Sequence, residues 1–297
     1  MGEYMIRFMV ITDLHYDYIH DGDRRINELI NKIKSEHIDF VISLGDLCHP
    51  IEENKNIIVK LNSVGVPIYH TMGNHDSDEY LQETVLKFTG MKNGYYSFII
   101  GHTKFIILNT CYIKNGDGCL PYYKRNYNKK QDIYPFVPEI EREWLLQEIQ
   151  NEELNYVVFS HHSLSNNFQQ RGVANRNEIR NILEHRKVIL CMNGHDHGDD
   201  CSVINGIPYY TVNSMSYIWH GTKSVFSYSD EIHKRYPFLK DMILYEEPLH
   251  AIVEIDNNHV RVIGMEGHYQ TISPEDIGIG ITWNGVSIAP KISSFEM

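Results

Sequence analysis

Residues 7–13 read RFMVITD, a short apolar run rich in strand formers that stops on a carboxylate. The pattern returns at residues 39–46, DFVISLGD, and at residues 67–74, PIYHTMGN. Between the first two runs, Ile26, Leu29, Ile30 and Ile33 fall at helical spacing within residues 24–36. Ile57, Ile58 and Leu61 predict a second helix before the third run. Continuous apolar strands alternating with helices predict a mixed or parallel sheet covered on both faces. In such sheets functional groups gather in the loops beyond the carboxyl ends of the strands. Asp13, Asp46 and Asn74 each stand in that position.

The alternation continues outward. Residues 77–87 predict a helix, and residues 95–109 a hairpin turned at Gly101. A strong helix is expected over residues 139–152, with Pro138 near its start. Residues 156–160, YVVFS, form a strand running into His161-His162. Asn175 and Glu178 have capping-box spacing for a helix reaching about Arg186. Residues 188–192 give a further strand, closed by Gly194-His195-Asp196-His197, and strand-like runs follow at residues 207–212, 251–255 and 260–265. Residues 114–138 and 222–248 break the rhythm and are read as insertions within a single domain spanning 1–297.

Composition narrows the function. With 27 basic and 39 acidic residues the formal net charge is −12, which disfavours non-specific duplex binding, since that depends on Lys and Arg neutralising phosphates. The five cysteines are odd in number and show no Cys-x-x-Cys pair, so reduced thiols in a reducing compartment are expected. No run approaches the ~18 apolar residues of a membrane span, and the N-terminus lacks the order of a signal peptide. Met1-Gly2 is an N-myristoylation start, but Ile6 stands where Ser or Thr is needed. A cytoplasmic protein with no membrane partner is the expectation.

Five strand ends deliver Asp13-x-His15, Asp46, Asn74-His75-Asp76, His161-His162 and His195-Asp196-His197. Imidazole mixed with carboxylate suits zinc, manganese or iron. A single tetrahedral ion needs four ligands; seven or more candidates are the supply for two adjacent ions. A carboxylate such as Asp46 has the lone pairs to bridge them.

In order and spacing these segments resemble the calcineurin-like metallophosphoesterase family, from Asp13 to His197. The resemblance implies an α/β four-layer sandwich of two mixed β-sheets flanked by helices, with the metal site at one sheet edge. It implies a first divalent metal held by Asp13, His15, Asp46 and His197, and a second held by Asp46, Asn74, His161 and His195. His161 is taken over His162 because the family's ligand is the first residue after the strand. The resemblance further implies a hydroxide held between two metal ions (manganese, zinc or iron) as nucleophile, with His75 as general acid. The implied substrate is a small phosphorylated molecule: a phosphomonoester, a phosphodiester or a nucleotide.

Other residues carry weaker signals. His162 is read either as a substrate contact or as a structural hydrogen-bonding group. Asp76 suits a helix N-terminus better than a role in orienting His75, Asp196 reads as a turn residue and His49 as a surface residue. The insertion at residues 114–138 combines Lys114, Lys124, Arg125, Lys129 and Lys130 with Tyr112, Tyr122, Tyr123, Tyr127 and Tyr134. Its Tyr122, Tyr123, Lys124 and Arg125 are candidate contacts for the non-reacting part of a nucleotide-like substrate; the alternative is a solvated loop packed by its own tyrosines. The aromatic stretch from Trp219 to Tyr245 reads as packing or oligomer contact, and the oligomeric state is left open. Two other functions remain open, a non-catalytic metal-binding scaffold of the same fold and a nuclease.

Overall fold

The computed structural model describes residues 5–168 and 172–297, without the side chain of Lys129. Met1 and Gly2, and with them the acylation start, lie outside the described residues. The first half runs β1 (Ile6–Ile11), α1 (Gly22–Ser35), β2 (Phe40–Ser43), α2 (Lys55–Asn62), β3 (Ile68–His70), α3 (Gln82–Thr89), β4 (Tyr96–Ile100), β5 (Thr103–Ile107), β6 (Tyr112–Asn115) and β7 (Gly118–Pro121). There follow α4 (Glu139–Glu148), β8 (Asn155–Ser160), α5 (Arg176–Leu183), β9 (Val188–Asn193), β10 (Asp200–Ile204), β11 (Ile207–Thr211) and β12 (Tyr217–Trp219). The chain then forms α6 (Asp230–Arg235), β13 (Met242–Leu244), β14 (Ala251–Asp256) and β15 (His259–Ile263).

Two six-stranded sheets result. One is ordered β15-β14-β1-β2-β3, with a short strand Phe295–Glu296 on its β15 edge, and the other β10-β11-β9-β8-β5-β4. Both are mixed: β1, β2 and β3 are parallel, and β14 runs against β1. In the second sheet β5, β8, β9 and β11 are parallel, with β4 and β10 antiparallel at the edges.

Side-chain alternation along the strands explains the layering. Phe8, Val10, Phe40 and Ile42 pack between the sheets against Phe105, Ile107, Val157 and Phe159. Phe8 stacks on Phe40 with ring centroids 4.7 Å apart and meets Phe105 edge-on at 5.6 Å. The other face of β1, at Met9 and Ile11, packs against Ile26, Leu29 and Ile33 of α1 and Ile57, Ile58 and Leu61 of α2. On the far side, Tyr156 and Val158 pack against Leu145 of α4 and Ile179 and Leu183 of α5. The order is helix, sheet, sheet, helix: the expected four-layer α/β sandwich. Residues after 200 complete both sheets.

Three local expectations are corrected. The helix predicted over residues 77–87 is a 3-10 turn, His75–Ser77, followed after a break by α3, because Asp78 is drawn into side-chain bonds described below. Asn175 makes no side-chain cap on α5. Its amide instead accepts from Val137 N at 3.0 Å and donates to Val137 O at 2.9 Å, pinning the end of the first insertion. The second insertion, read only as a break in the strand–helix rhythm, holds a strand, β13, which pairs with β12 and packs into the core.

Candidate metal centre and its acid

β1, β2, β3, β8 and β9 all end on the same edge of the sandwich, and their following loops carry the five sequence motifs. Asp13, His15, Asp46, His195 and His197 have φ between 48° and 67°, a left-handed conformation that costs non-glycine residues about 1–3 kcal/mol each. The surroundings over-determine it. Asp13 N donates to Gly45 O at 3.0 Å and His15 N to Asp46 O at 3.0 Å. The hydroxyls of Ser214 and Ser216 donate to Asp13 O and Leu14 O at 2.8 and 2.9 Å. Glycines permit the close approach: a Cβ on Gly73 would overlap Asp46, and one on Gly194 would overlap Thr12.

The donor atoms lie close together at this edge. His15 Nε2 lies 3.6 Å from both Asp13 Oδ1 and Asp46 Oδ2, and His197 Nε2 lies 3.5 Å from Asp13 Oδ1. His161 Nε2 lies 3.1 Å from Asp46 Oδ2 and 3.2 Å from Asn74 Oδ1. Asp13, His15 and His197 form one group able to hold a metal, Asp13, Asp46 and His161 a second, and His161, His162 and His195 a third. Asp46 Oδ2 faces both His15 and His161.

The chemistry of these atoms fits divalent cations. Asp13 Oδ2 accepts from Thr12 Oγ1 at 2.5 Å and His195 N at 2.9 Å, and Asp46 Oδ1 accepts from His75 N at 2.8 Å. The other oxygens, Asp13 Oδ1 and Asp46 Oδ2, are buried without a hydrogen-bond partner, an arrangement too costly to keep unless something positive engages them. The imidazoles are set to supply lone pairs. His161 Nδ1 donates to Leu44 O and His197 Nδ1 to Tyr217 O, both at 2.7 Å, which fixes the tautomer and turns Nε2 inward. Burial holds the His15 pKa down at about 4 against the pull of Asp13, so its ring is neutral. Burial also acts to lower His161, but the Asp46 carboxylate outweighs it and lifts the pKa to about 9: the carboxylates call for positive charge at this point.

Two aspartates flank Ser77 and do different work. Asp76 does not cap a helix, contrary to its sequence reading. Its carboxylate accepts from the amides of Asp46, Leu47 and Gly73 at 3.1, 2.9 and 2.9 Å, tying the Asp46 loop to the Asn74 loop. Asp78 is the residue that orients His75: its Oδ2 lies 2.6 Å from His75 Nδ1. An i, i+3 pair eclipses in a 3-10 turn, so the spacing His75-x-x-Asp78 was a readable signal. Burial disfavours the charged Asp78, yet the hydrogen bond and charge of His75 hold its pKa down. Tyr122 OH donates to Asp78 Oδ1 at 2.6 Å, Tyr18 OH to Oδ2 at 3.2 Å, and Arg125 Nη2 lies 3.2 Å from Oδ2.

The remaining candidates divide. Tyr122 is 3% exposed and packs with Met72, Val85 and Cys111, so it supports Asp78 and does not present a ring to substrate. Lys124 is exposed, with its ammonium 5.3 Å from the Tyr123 ring centroid. Arg125 is the candidate whose charged group reaches the Asp78 carboxylate while half of its side chain stays exposed. His162 is fully buried; its Nδ1 pairs with Thr110 Oγ1 at 2.7 Å, and its ring lies 4.3 Å from that of His195. His49 is no free surface residue, because it lines a cleft of about 170 Å³ with His15, Tyr18, Asp46 and His75. Sequence reasoning also missed Tyr18, and the Tyr217 ring packs 5.3 Å from His15 and 4.7 Å from His197.

Comparison with known proteins agrees with this construction. The model of the calcineurin-like phosphoesterase family matches residues 6–199. A dimetal phosphatase from Danio rerio superposes with a TM-score of 0.63 at 13% identity, over 90% of this chain and 99% of that one. GAP50, the anchor in the inner membrane complex of Plasmodium, superposes with a TM-score of 0.56 at 15% identity, over 91% and 89%. At such identities the likeness is one of fold. No curated protein sequence matches the chain. On its motifs, its fold and the family match, the chain belongs to the calcineurin-like phosphoesterase family.

Proposed function

We propose that the chain is a binuclear phosphoesterase. It hydrolyses a small phosphorylated substrate using two divalent cations of manganese, zinc or iron type, with His75 as general acid. The observation that carries this reading is the pair of buried oxygens Asp13 Oδ1 and Asp46 Oδ2, which make no hydrogen bond and are faced by imidazoles, two of them with outer nitrogens tied to backbone carbonyls. Asp13, His15, Asp46 and His197 would hold one cation; Asp46, Asn74, His161 and His195 the other. Bound there, the pair supplies Lewis acidity and a nucleophile active near neutral pH.

The chain's own residues do the rest. His75 lines the cleft and its side chain is 27% exposed. With Nδ1 engaged by Asp78, Nε2 is the donor left for substrate. It hydrogen-bonds a phosphoryl oxygen and passes a proton to the departing alkoxide, a role worth ~10²–10⁴ in rate. The brace of Asp76 keeps the Asp46 and Asn74 loops in register, and no covalent bond between chain and substrate is required. Five free cysteines fit a cytoplasmic enzyme.

The test is a panel of para-nitrophenyl phosphate, bis(para-nitrophenyl) phosphate, nucleotides and nucleotide-diphosphate sugars with manganese, zinc, iron or magnesium added. Turnover lost on chelation and restored by metal is expected, and the best substrate assigns mono- or diesterase. No turnover of any compound with any metal contradicts the proposal.

A further inference from the structure

The turn at residues 123–126 breaks a local rule. Lys124 and Arg125 both have φ of 53°, a left-handed pair of the kind that Gly and Asn fill in tight turns. Long cationic side chains are strained there, and departures of this kind gather at functional sites. The turn is held in place: Tyr123 N donates to Asn126 Oδ1 at 3.2 Å, and Lys124 N donates to Asp78 O at 2.8 Å.

That anchorage carries Arg125 to the edge of the cleft. Its Nη2 lies 3.2 Å from Asp78 Oδ2 and donates to Tyr18 OH at 3.2 Å, and the guanidinium lies 5.9 Å from the Phe238 ring centroid. Both polar contacts use Nη2, so Nε and Nη1 keep donors for a ligand, and half of the side chain is exposed. Asp78 Oδ2 is the atom that also engages His75. The cation therefore sits one carboxylate beyond the proposed acid. An aromatic wall continues from it: Tyr18 lies 5.1 Å from Phe238 and 5.9 Å from His75, and Trp219 lies 6.3 Å from Phe238. Arg125 comes from the first insertion and Phe238 from the second, so the two segments outside the strand–helix rhythm meet at this one place.

We propose that Arg125 and this wall form a leaving-group subsite, selecting phosphoesters whose leaving moiety has a planar ring and a second anionic group, carboxylate or phosphate. A guanidinium fork fits either anion. In a chain of net charge −12, with Asp46, Asp76 and Asp78 beside His75, an anionic leaving moiety needs a fixed cation to approach. This inference rests on the phosphoesterase reading above.

The experiment compares KM for phenyl phosphate, para-carboxyphenyl phosphate and hydroquinone bisphosphate in the metal-loaded wild type, Arg125→Ala and Arg125→Lys. The wild type should favour one or both anionic compounds by about tenfold, a single charge-assisted hydrogen bond. Arg125→Ala should erase that preference and Arg125→Lys keep part of it; the compound with the larger loss identifies the anion. A second readout needs no turnover. Phenylphosphonate and para-carboxyphenylphosphonate are titrated against Trp219 fluorescence, with Trp219→Phe as control, and the same preference should appear in Kd. Equal KM for all three compounds in the wild type overturns the inference without recourse to any variant. So does an equal rise for all three in Arg125→Ala, which would confine Arg125 to acting through Asp78. A wild type active on none of the three but active on bis(para-nitrophenyl) phosphate overturns the inference alone, and one active on no phosphoester removes the phosphoesterase reading with it.

Discussion

The strand-end loops and the rim built by the two insertions meet at His75, yet they hold their polar groups in opposite ways. In the loops, backbone fixes side chains: amides donate to Asp13, Asp46 and Asp76, and carbonyls accept from His161 and His197. In the rim, side chains fix one another, with Tyr122, Tyr18, Arg125 and His75 all converging on the carboxylate of Asp78. The first arrangement is rigid because strands anchor it on both sides. The second is assembled from distant segments and can be changed without rebuilding the sheet. On this account metal binding and acid catalysis would depend on the backbone-held geometry of the strand ends, while substrate choice and fine positioning would depend on the rim.

The contrast can be broken at three points. The largest effect is expected at the junction itself: His75→Ala should retain bound metal while lowering kcat by ~10²-fold or more. The loss should shrink for para-nitrophenyl phosphate, whose leaving group needs little protonation, and an equal loss for good and poor leaving groups would reduce His75 to a phosphate contact. Within the loops, Asp76→Ala strands three buried amides, each costing ~1–3 kcal/mol. A fall of about 3 kcal/mol in unfolding free energy, measured by urea titration, is expected together with weakened metal binding; unchanged stability would deny Asp76 its bracing role. Within the rim, Asp78→Asn keeps the shape but weakens the hold on His75. A drop of about tenfold in kcat at constant KM, with a displaced pH–rate profile, is expected. Matching profiles for the two proteins would show that the Asp78 carboxylate serves only to hold Tyr122, Tyr18 and Arg125.

How much was legible follows the same division. Apolar runs ending on Asp13, Asp46, Asn74, His161 and His195 announced both the strands and the edge where they end, because strand, turn and ligand are contiguous in sequence. The rim had no such contiguity. Asp78 meets Tyr122 across 44 residues, and Tyr18 meets Arg125 across 107. Tyr122 was therefore read as a candidate substrate contact or a loop-packing ring, when it is a buried donor to Asp78. Asp76 passed for a cap because helix starts favour Asp, while its true partners come from the Asp46 loop 29 and 30 residues away as well as from Gly73. Asn175 was misread for the same reason, its amide being taken by Val137. Only the His75-x-x-Asp78 spacing was local enough to have been found.

The central claim is that Asp46 joins two cation positions, and metal stoichiometry tests it most directly. Wild type and Asp46→Asn are loaded with manganese or zinc, dialysed and analysed for metal per chain. Two ions in the wild type, with both sites weakened together in the variant, are predicted from the loss of the shared charge. A single tightly held ion, unchanged by Asp46→Asn, would contradict the account.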